Sequence, residues 1–147
     1  VYAPGVTDAP LPAGPLRLGT TICYEILFPG LVREMVRRGA DLLVNLANDS
    51  WLDAGDGVAA DQHLSMAVFR AIETRRYLVR VSATGASAFV DPGGAIYDRI
   101  PRGTSGALVA DVRPRTGLTL YVRWGDWWVA VVAAMLLVAA RPWDRAR

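Results

Sequence analysis

One cysteine stands in the chain, Cys23, within the run Leu16-Arg17-Leu18-Gly19-Thr20-Thr21-Ile22-Cys23-Tyr24-Glu25. A strand-like segment ends at the thiol, an aromatic and a carboxylate follow at once, and Pro29 opens the next element. A nucleophile displayed on a sharp strand-to-helix turn has this form, since the turn exposes the sulfur and aims backbone N–H groups at a reacting carbonyl. Free cysteine is more often buried and inert, and the triplet alone favours that state. The rest of the chain reverses the balance. Glu25 sits two residues from the thiol, which makes it a candidate catalytic carboxylate. Its alternative role is a helix N-terminal carboxylate favoured by the dipole. Tyr24 either contacts substrate or packs.

Trp51 follows Asn48 and Asp49 at a strand end, where α/β folds collect their site loops. It is a candidate substrate contact, with a core anchor as the alternative. Asn48 and Asp49 suit a structural role, holding the loop through side-chain hydrogen bonds. His63 is the only histidine. No second His or Cys gives a metal-ligand spacing, so no metal site is expected and a hydrogen bond beside Gln62 is. Arg70 and Glu73, three apart on a helix, suit a structural ion pair. Gly85, Gly93 and Gly94 are turn glycines, because no phosphate-loop pattern surrounds them.

These residues need elements to position them. Residues 1–15, with prolines at 4, 10, 12 and 15, read as loop. Residues 16–22 read as a strand. A helix follows from Pro29, with Phe28, Leu31, Val32, Met35 and Val36 on one face and Gly39 to end it. Residues 41–47 form an apolar run without alternation, which fits a central strand buried on both faces. Leu64, Ala67, Val68, Ala71 and Ile72 place a helix over about 60–76. Residues 78–83 and 87–91 read as strands, and the Asp91-Pro92-Gly93-Gly94 turn makes 87–100 a hairpin. A further strand is expected over 106–112. The order predicts a layered α/β fold.

Composition bounds the class. The chain has 147 residues and a net charge of +2, and its 16 basic residues are all arginine. They form no stripe with interleaved aromatics, so no nucleic-acid partner is expected. A single cysteine permits no internal disulfide. Apolar residues make up 52% and the mean hydropathy is +0.24, high for a soluble domain. The sequence starts at Val1 in a Pro/Gly-rich loop with no charged leader, so we expect a fragment lacking its N-terminal part. The apolar excess gathers in Trp127–Ala140, which carries no charge. Trp124, Trp127 and Trp128 flank it on one side and Trp143 on the other, as in interfacial tryptophan belts. A helix from Trp124 to Trp143 would rise about 28 Å, near the bilayer hydrocarbon thickness. A membrane helix is therefore expected rather than a core helix. Arginines flank it equally, so charge leaves the orientation open.

Several stretches together resemble one family. They are Ile22-Cys23-Tyr24-Glu25, Asn45-Leu46-Ala47-Asn48-Asp49-Ser50-Trp51, Gln62-His63-Leu64 with Met66-Ala67, and Arg70-Ala71-Ile72-Glu73. Gly85, the Asp91–Gly94 turn and Thr116-Gly117-Leu118-Thr119 with Tyr121 continue the pattern. The chain resembles the C-terminal part of the nitrilase-like domain, plus the last membrane helix, of bacterial apolipoprotein N-acyltransferases. Looser forms of the Cys and Asn-Asp-x-Trp stretches occur in soluble nitrilases and amidases. The Thr-Gly-Leu-Thr stretch before an apolar helix tips the choice.

The resemblance implies a partial α-β-β-α sandwich over residues 1–122, a transmembrane helix over 123–143 and a short basic tail over 144–147. It implies a Glu-Lys-Cys triad whose Glu and Lys precede residue 1, with Cys23 as nucleophile, Glu25 at the site, and Tyr24 and Trp51 against substrate near a lipid entry. The reaction would move a fatty acyl chain from a phospholipid, through a Cys23 thioester, to the N-terminal amine of a lipid-modified apolipoprotein, without a cofactor. The enzyme would sit in the inner membrane with its catalytic domain on the periplasmic side. Two alternatives remain at this point. One is a soluble nitrilase- or amidase-type hydrolase, with 127–140 packed in a core or dimer interface. The other is an inactive membrane-anchored binding module.

Overall fold

The computed structural model describes residues 9–52 and 57–140. Six strands form one sheet in sequence order: β1 (Leu11–Ala13), β2 (Leu16–Ile22), β3 (Leu42–Ala47), β4 (Leu78–Ser82), β5 (Ser87–Val90) and β6 (Ile96–Ile100). β2, β3 and β4 are parallel, and the outer pairings are antiparallel. Two helices make the parallel crossovers, α1 (Pro29–Arg37) and α2 (Val58–Thr74). Right-handed crossovers that advance across a sheet in one direction put both helices on the same face.

That face holds the core. Pro29 occupies the start of α1, where its missing N–H costs nothing. Val32, Met35 and Val36 then point inward at helical spacing onto Leu43 and Leu78 of the sheet and Ala67 and Ala71 of α2. Glu34 stays outside, paired with Arg37 at 3.2 Å and Arg38 at 2.9 Å. Gly19 of β2 leaves room for the crossover, because an added Cβ would lie 3.0 Å from Leu43 and 3.1 Å from Ala40. Arg75, in a left-handed conformation with φ 52°, ends α2 and sends its N–H to Ala71 and Ile72 carbonyls. The expected ion pair on α2 is present, with Arg70 Nη2 3.0 Å from Glu73 Oε1.

The structure revises four expectations. The segment read wholly as loop contains β1, which turns back onto β2 through Gly14, at φ 60°. Pro12 is tolerated there because β1 is an edge strand. β3 is central as expected, but on the side away from the helices the described residues bury its start at Leu42 and leave its end open. Strand alternation turns Ile22, Leu46 and Val81 to the other face, where they are exposed. The strand expected over 106–112 does not form. Gly106, Ala107 and Leu108 lie beside Val79, Val81 and Phe89 without joining the ladder, and Val109 is 96% exposed.

The fourth revision concerns the expected continuous helix over 123–143. The chain instead forms α3 (Leu120–Trp124) and α4 (Trp127–Ala139), broken at Gly125 with φ 65° and ψ −145°. Only glycine takes that conformation readily. α3 belongs to the α/β body. Val122 is buried, Thr119 Oγ1 accepts from the Val122 N–H at 3.0 Å and donates to the Glu73 carbonyl at 2.7 Å, and Arg33 Nε donates to the Val122 carbonyl at 3.0 Å. α4 has 13 residues, a rise of about 20 Å. No helix among the described residues is long and apolar enough to cross a membrane. Trp143 and the tail 144–147 lie outside the described residues.

Removing Leu43, buried at the centre of the helix-side core, leaves a cavity that the sheet cannot close. Leu43→Ala is expected to cost about 2–5 kcal/mol, while Val109→Ala stays within about 0.5 kcal/mol. Thermal unfolding of the two variants beside wild type measures the contrast. A large loss at Val109 would restore a packed strand over 106–112.

Candidate active site

β2 stops at Ile22 because the chain turns sharply at Cys23. Cys23 takes φ 50°, and Arg75 is the only other described non-glycine residue at positive φ. A left-handed non-glycine residue costs about 1–3 kcal/mol and persists only where its surroundings enforce it. Residues Cys23–Leu27 then make a short 3-10 helix. The Glu25 carboxylate reaches back to accept the Ile22 N–H at 2.7 Å. This is half of a capping box, and it ties the carboxylate to the last residue of β2. Cys23 is partly exposed, with Sγ 3.7 Å from the Asn48 carbonyl oxygen.

A buried polar cluster lies beneath the turn. The Cys23 carbonyl accepts from Asn45 Nδ2 at 3.3 Å and from His63 Nε2 at 3.2 Å. Asn45 Nδ2 also reaches Thr21 Oγ1 at 3.1 Å, and Asn45 Oδ1 accepts from Arg80. Arginine has donors only, so Oδ1 must face Arg80 and the amide NH2 must face the carbonyls. Asp49 accepts from His63 Nδ1 and Arg80 Nη2, each at 2.7 Å, and from Ser82 Oγ at 2.9 Å. Asn45, Asp49, His63 and Arg80 are all at most 3% exposed. Burial opposes ionisation of Asp49. The hydrogen bond from His63, the Arg80 charge and the Ser82 hydroxyl outweigh it and hold the carboxyl below the usual carboxylate range.

The surface that follows Cys23 in the chain is apolar. Tyr24 packs edge-on against Phe28 at 5.6 Å between ring centroids and lies 6.3 Å from Trp51. The three rings are 51%, 54% and 62% exposed, so none is a core anchor. Tyr24, Leu27, Leu52, Ala59, Gln62, His63 and Met66 line a pocket of about 230 Å³ beside them. Among the described residues, no three His, Cys, Asp or Glu side chains converge to hold a metal.

Tyr24, next to Cys23 in the chain, and Trp51 share one surface, and one oxygen of the exposed Glu25 carboxylate is taken by the Ile22 N–H. Asn48 does hold its loop, accepting from Ser50 N at 3.1 Å and Thr84 Oγ1 at 3.2 Å. Asp49 does more, as the anion of the buried cluster. Sequence reading missed Asn45 and Arg80 and gave His63 only a generic hydrogen bond. The available signal was a polar residue within each apolar strand, Asn45 in Leu-Leu-Val-Asn-Leu-Ala and Arg80 in Leu-Val-Arg-Val.

Two outcomes follow for the cluster. A Cβ at Gly85 would overlap Asp49 Oδ2, so Gly85→Ala is expected to break the Asp49–Arg80 pair at a cost of about 3–5 kcal/mol, read as a fall in melting temperature. Asp49 also sets an acid limit. Its proton is held more weakly in the folded state, so the unfolded chain takes up a proton first as pH falls. Stability is whole above the ordinary carboxylate value and is lost as pH drops through the lowered one. In Asp49→Asn the melting temperature at neutral pH falls, and the part of the acid loss below about pH 5 that Asp49 supplies disappears. An unchanged acid profile in that variant would contradict the assignment.

Known proteins resemble the chain in sequence and in fold. The chain is 41% identical over 145 residues to the apolipoprotein N-acyltransferase of Geobacter metallireducens, covering 98% of this chain and 27% of that protein. It is 38% identical over 137 residues to the one from Azotobacter vinelandii, covering 92% of this chain and 26% of that protein. The chain thus spans about a quarter of the length of these curated relatives. Among solved structures, a carbon-nitrogen hydrolase from Helicobacter pylori matches with a TM-score of 0.61 at 16% identity, over 69% of this chain and 42% of that one. An amidase from Nesterenkonia sp., with an acetamide moiety added covalently at its active-site cysteine, matches with a TM-score of 0.54 at 23% identity, over 69% of this chain and 40% of that one. These two show a shared nitrilase-like fold. The carbon-nitrogen hydrolase family pattern itself matches residues 2–119, most of the chain, and the chain belongs to that family.

Proposed function

We propose that the chain is the C-terminal part of the catalytic domain of an apolipoprotein N-acyltransferase, together with its last membrane helix. The observation that carries the reading is where the likeness ends. The family pattern of carbon-nitrogen hydrolases stops at residue 119, but the match to the Geobacter acyltransferase takes in 98% of the chain. It therefore runs on through α4. That helix is apolar on all sides and exposed along its length, and an all-round apolar helix suits a bilayer or a large core. In this reading α4 belongs to a membrane span anchored by its tryptophans. The protein then sits in the bacterial inner membrane with its catalytic domain on the periplasmic side.

The mechanism is ping-pong acyl transfer. Cys23 Sγ attacks the ester carbonyl of a phospholipid, and the tetrahedral oxyanion collapses to a thioester as the lysophospholipid alkoxide leaves with a proton. The amine of a lipid-modified N-terminal cysteine on an apolipoprotein then attacks the thioester, loses a proton and leaves with the acyl chain as an amide. A glutamate base and a lysine outside this chain complete the triad. The lysine cannot come from within, because the sequence has none. The Tyr24 N–H donates to the oxyanion. Tyr24 and Trp51 line the acyl approach, which their exposure beside Cys23 supports. Glu25 serves the site by capping the strand end that carries the nucleophile. No cofactor takes part.

Mass spectrometry of the full-length protein incubated with phospholipid is the direct test. The expected product is a fatty-acyl adduct on the Cys23 peptide, released by hydroxylamine and absent in Cys23→Ala. An adduct from a small amide or nitrile but none from phospholipid would replace the reading with a hydrolase. No adduct from either would leave an inactive binding module. Trp51→Ala is expected to raise the KM for phospholipid about 10-fold while changing kcat less; steady-state kinetics on lipid micelles would show the opposite split if Trp51 served the chemistry.

A further inference from the structure

We infer that His63 and Asn45 are positioning residues for the oxyanion amide: by holding the Cys23 carbonyl from beneath, they aim the Tyr24 N–H at the oxygen of a carbonyl under attack by Cys23. This rests on the acyl-transfer reading above and deepens it. Cys23 C=O and Tyr24 N–H belong to one peptide unit, which is planar and trans. The two groups therefore point in opposite directions. Asn45 Nδ2 at 3.3 Å and His63 Nε2 at 3.2 Å draw the carbonyl inward, so the N–H must face outward, toward the side on which the thiol is exposed. It lies in the first turn of a short helix, where the leading N–H groups have no acceptor within the helix.

The donors are fixed in turn. Arg80 dictates the Asn45 amide orientation, as argued above. His63 Nε2 faces a carbonyl, which only accepts, so that nitrogen carries a proton. Asp49 holds the other ring nitrogen at 2.7 Å and Arg80 Nη2 at 2.7 Å, which joins both donors into one braced unit. The stability of the core alone does not require this much buried charge. Well-packed apolar side chains of similar volume stabilise a fold at least as well. What apolar side chains cannot do is stop the Cys23–Tyr24 peptide from rotating. Rotation here would strip two buried donors of their acceptor, and that penalty locks the amide before substrate arrives.

Two reagents separate positioning from mere folding in the full-length protein. A p-nitrophenyl ester of a fatty acid reports attack on a carbonyl, where an oxyanion forms. Iodoacetamide reports displacement by the same thiol at a saturated carbon, where none forms. In His63→Leu, ester acylation is expected to slow about 10²-fold at saturating ester with KM little changed. Alkylation of Cys23 should stay within about 3-fold of wild type, since it needs no oxyanion donor. His63→Gln, whose amide keeps an N–H for the Cys23 carbonyl, should recover most of the lost acylation. Equal losses with both reagents would mean that His63 only supports the fold, and would overturn the inference. So would full ester reactivity in His63→Leu, or no recovery in His63→Gln. Wild-type protein alkylated at Cys23 but never acylated by the ester would instead remove the acyl-transfer reading, and the positioning role with it.

Discussion

A carboxylate taken out of water has to be met by donors on every side, and Asp49 sets that condition for the whole sheet. Its partners come from separate elements, His63 from α2 and both Arg80 and Ser82 from β4. Strand register delivers them. Thr21 of β2 stands opposite Asn45 of β3, and Asn45 opposite Arg80 of β4. These three polar residues form a row across the parallel strands on the helix-covered face. A slip of one residue in either pairing would turn part of the row to the other face and leave buried groups unmet. The apolar core rewards compaction in many arrangements. The polar row accepts one.

The same row fixes the chemistry. A left-handed cysteine is strained, and its chain neighbours have no reason to hold it so. Glu25 holds the strand end from one side through Ile22, and Asn45 and His63 hold the carbonyl from beneath. Cys23 is thereby braced by hydrogen bonds from β3 and α2. Above it the surface is of another kind. Tyr24 meets Phe28 edge-on and lies tilted to Trp51, and all three rings remain about half exposed, so their rotamers are set by few neighbours. Rigid donors below and adaptable apolar rings above suit a reaction with one demanding transition state and long, variable apolar chains.

What the sequence disclosed follows from the range of each interaction. β2, α1 and the β5–β6 hairpin depend on periodicity, on Pro29 and on the Asp91–Gly94 turn, all local signals. The sharp turn at Cys23 was legible because strand end, thiol, aromatic and carboxylate are contiguous. The cluster was not, since His63 meets Cys23 across 40 residues and Arg80 meets Asn45 across 35. No window of sequence contains both ends of such a bond. β1 was hidden by its prolines, which forbid most strands but not an edge. The segment 106–112 misled in the other direction, because its apolar residues suit a strand and pairing depends on a neighbour that composition does not reveal. At the C-terminal end, tryptophan spacing suggested one continuous helix, and Gly125 outweighed it.

Gly125 matters because it separates two apolar surfaces of different kinds. α3, before it, is tied to α1 and α2 by Val122, Thr119 and Arg33, so the point at which the chain leaves the body is fixed relative to Cys23. α4, after it, shows apolar side chains all round, and a cylinder of that kind can be covered completely only by lipid or by other apolar helices. The uncovered sheet face is different. Ile22, Leu46 and Val81 present one flat side near the strand ends that carry the site, while the opposite side of the same strands is already filled. A flat face of alternating side chains suits a second sheet or helix layer packed about 10 Å away, which is the arrangement expected of an α-β-β-α sandwich. One short chain thus carries two separate demands for cover, and the break at Gly125 lets each be met without disturbing the other or the elbow between them.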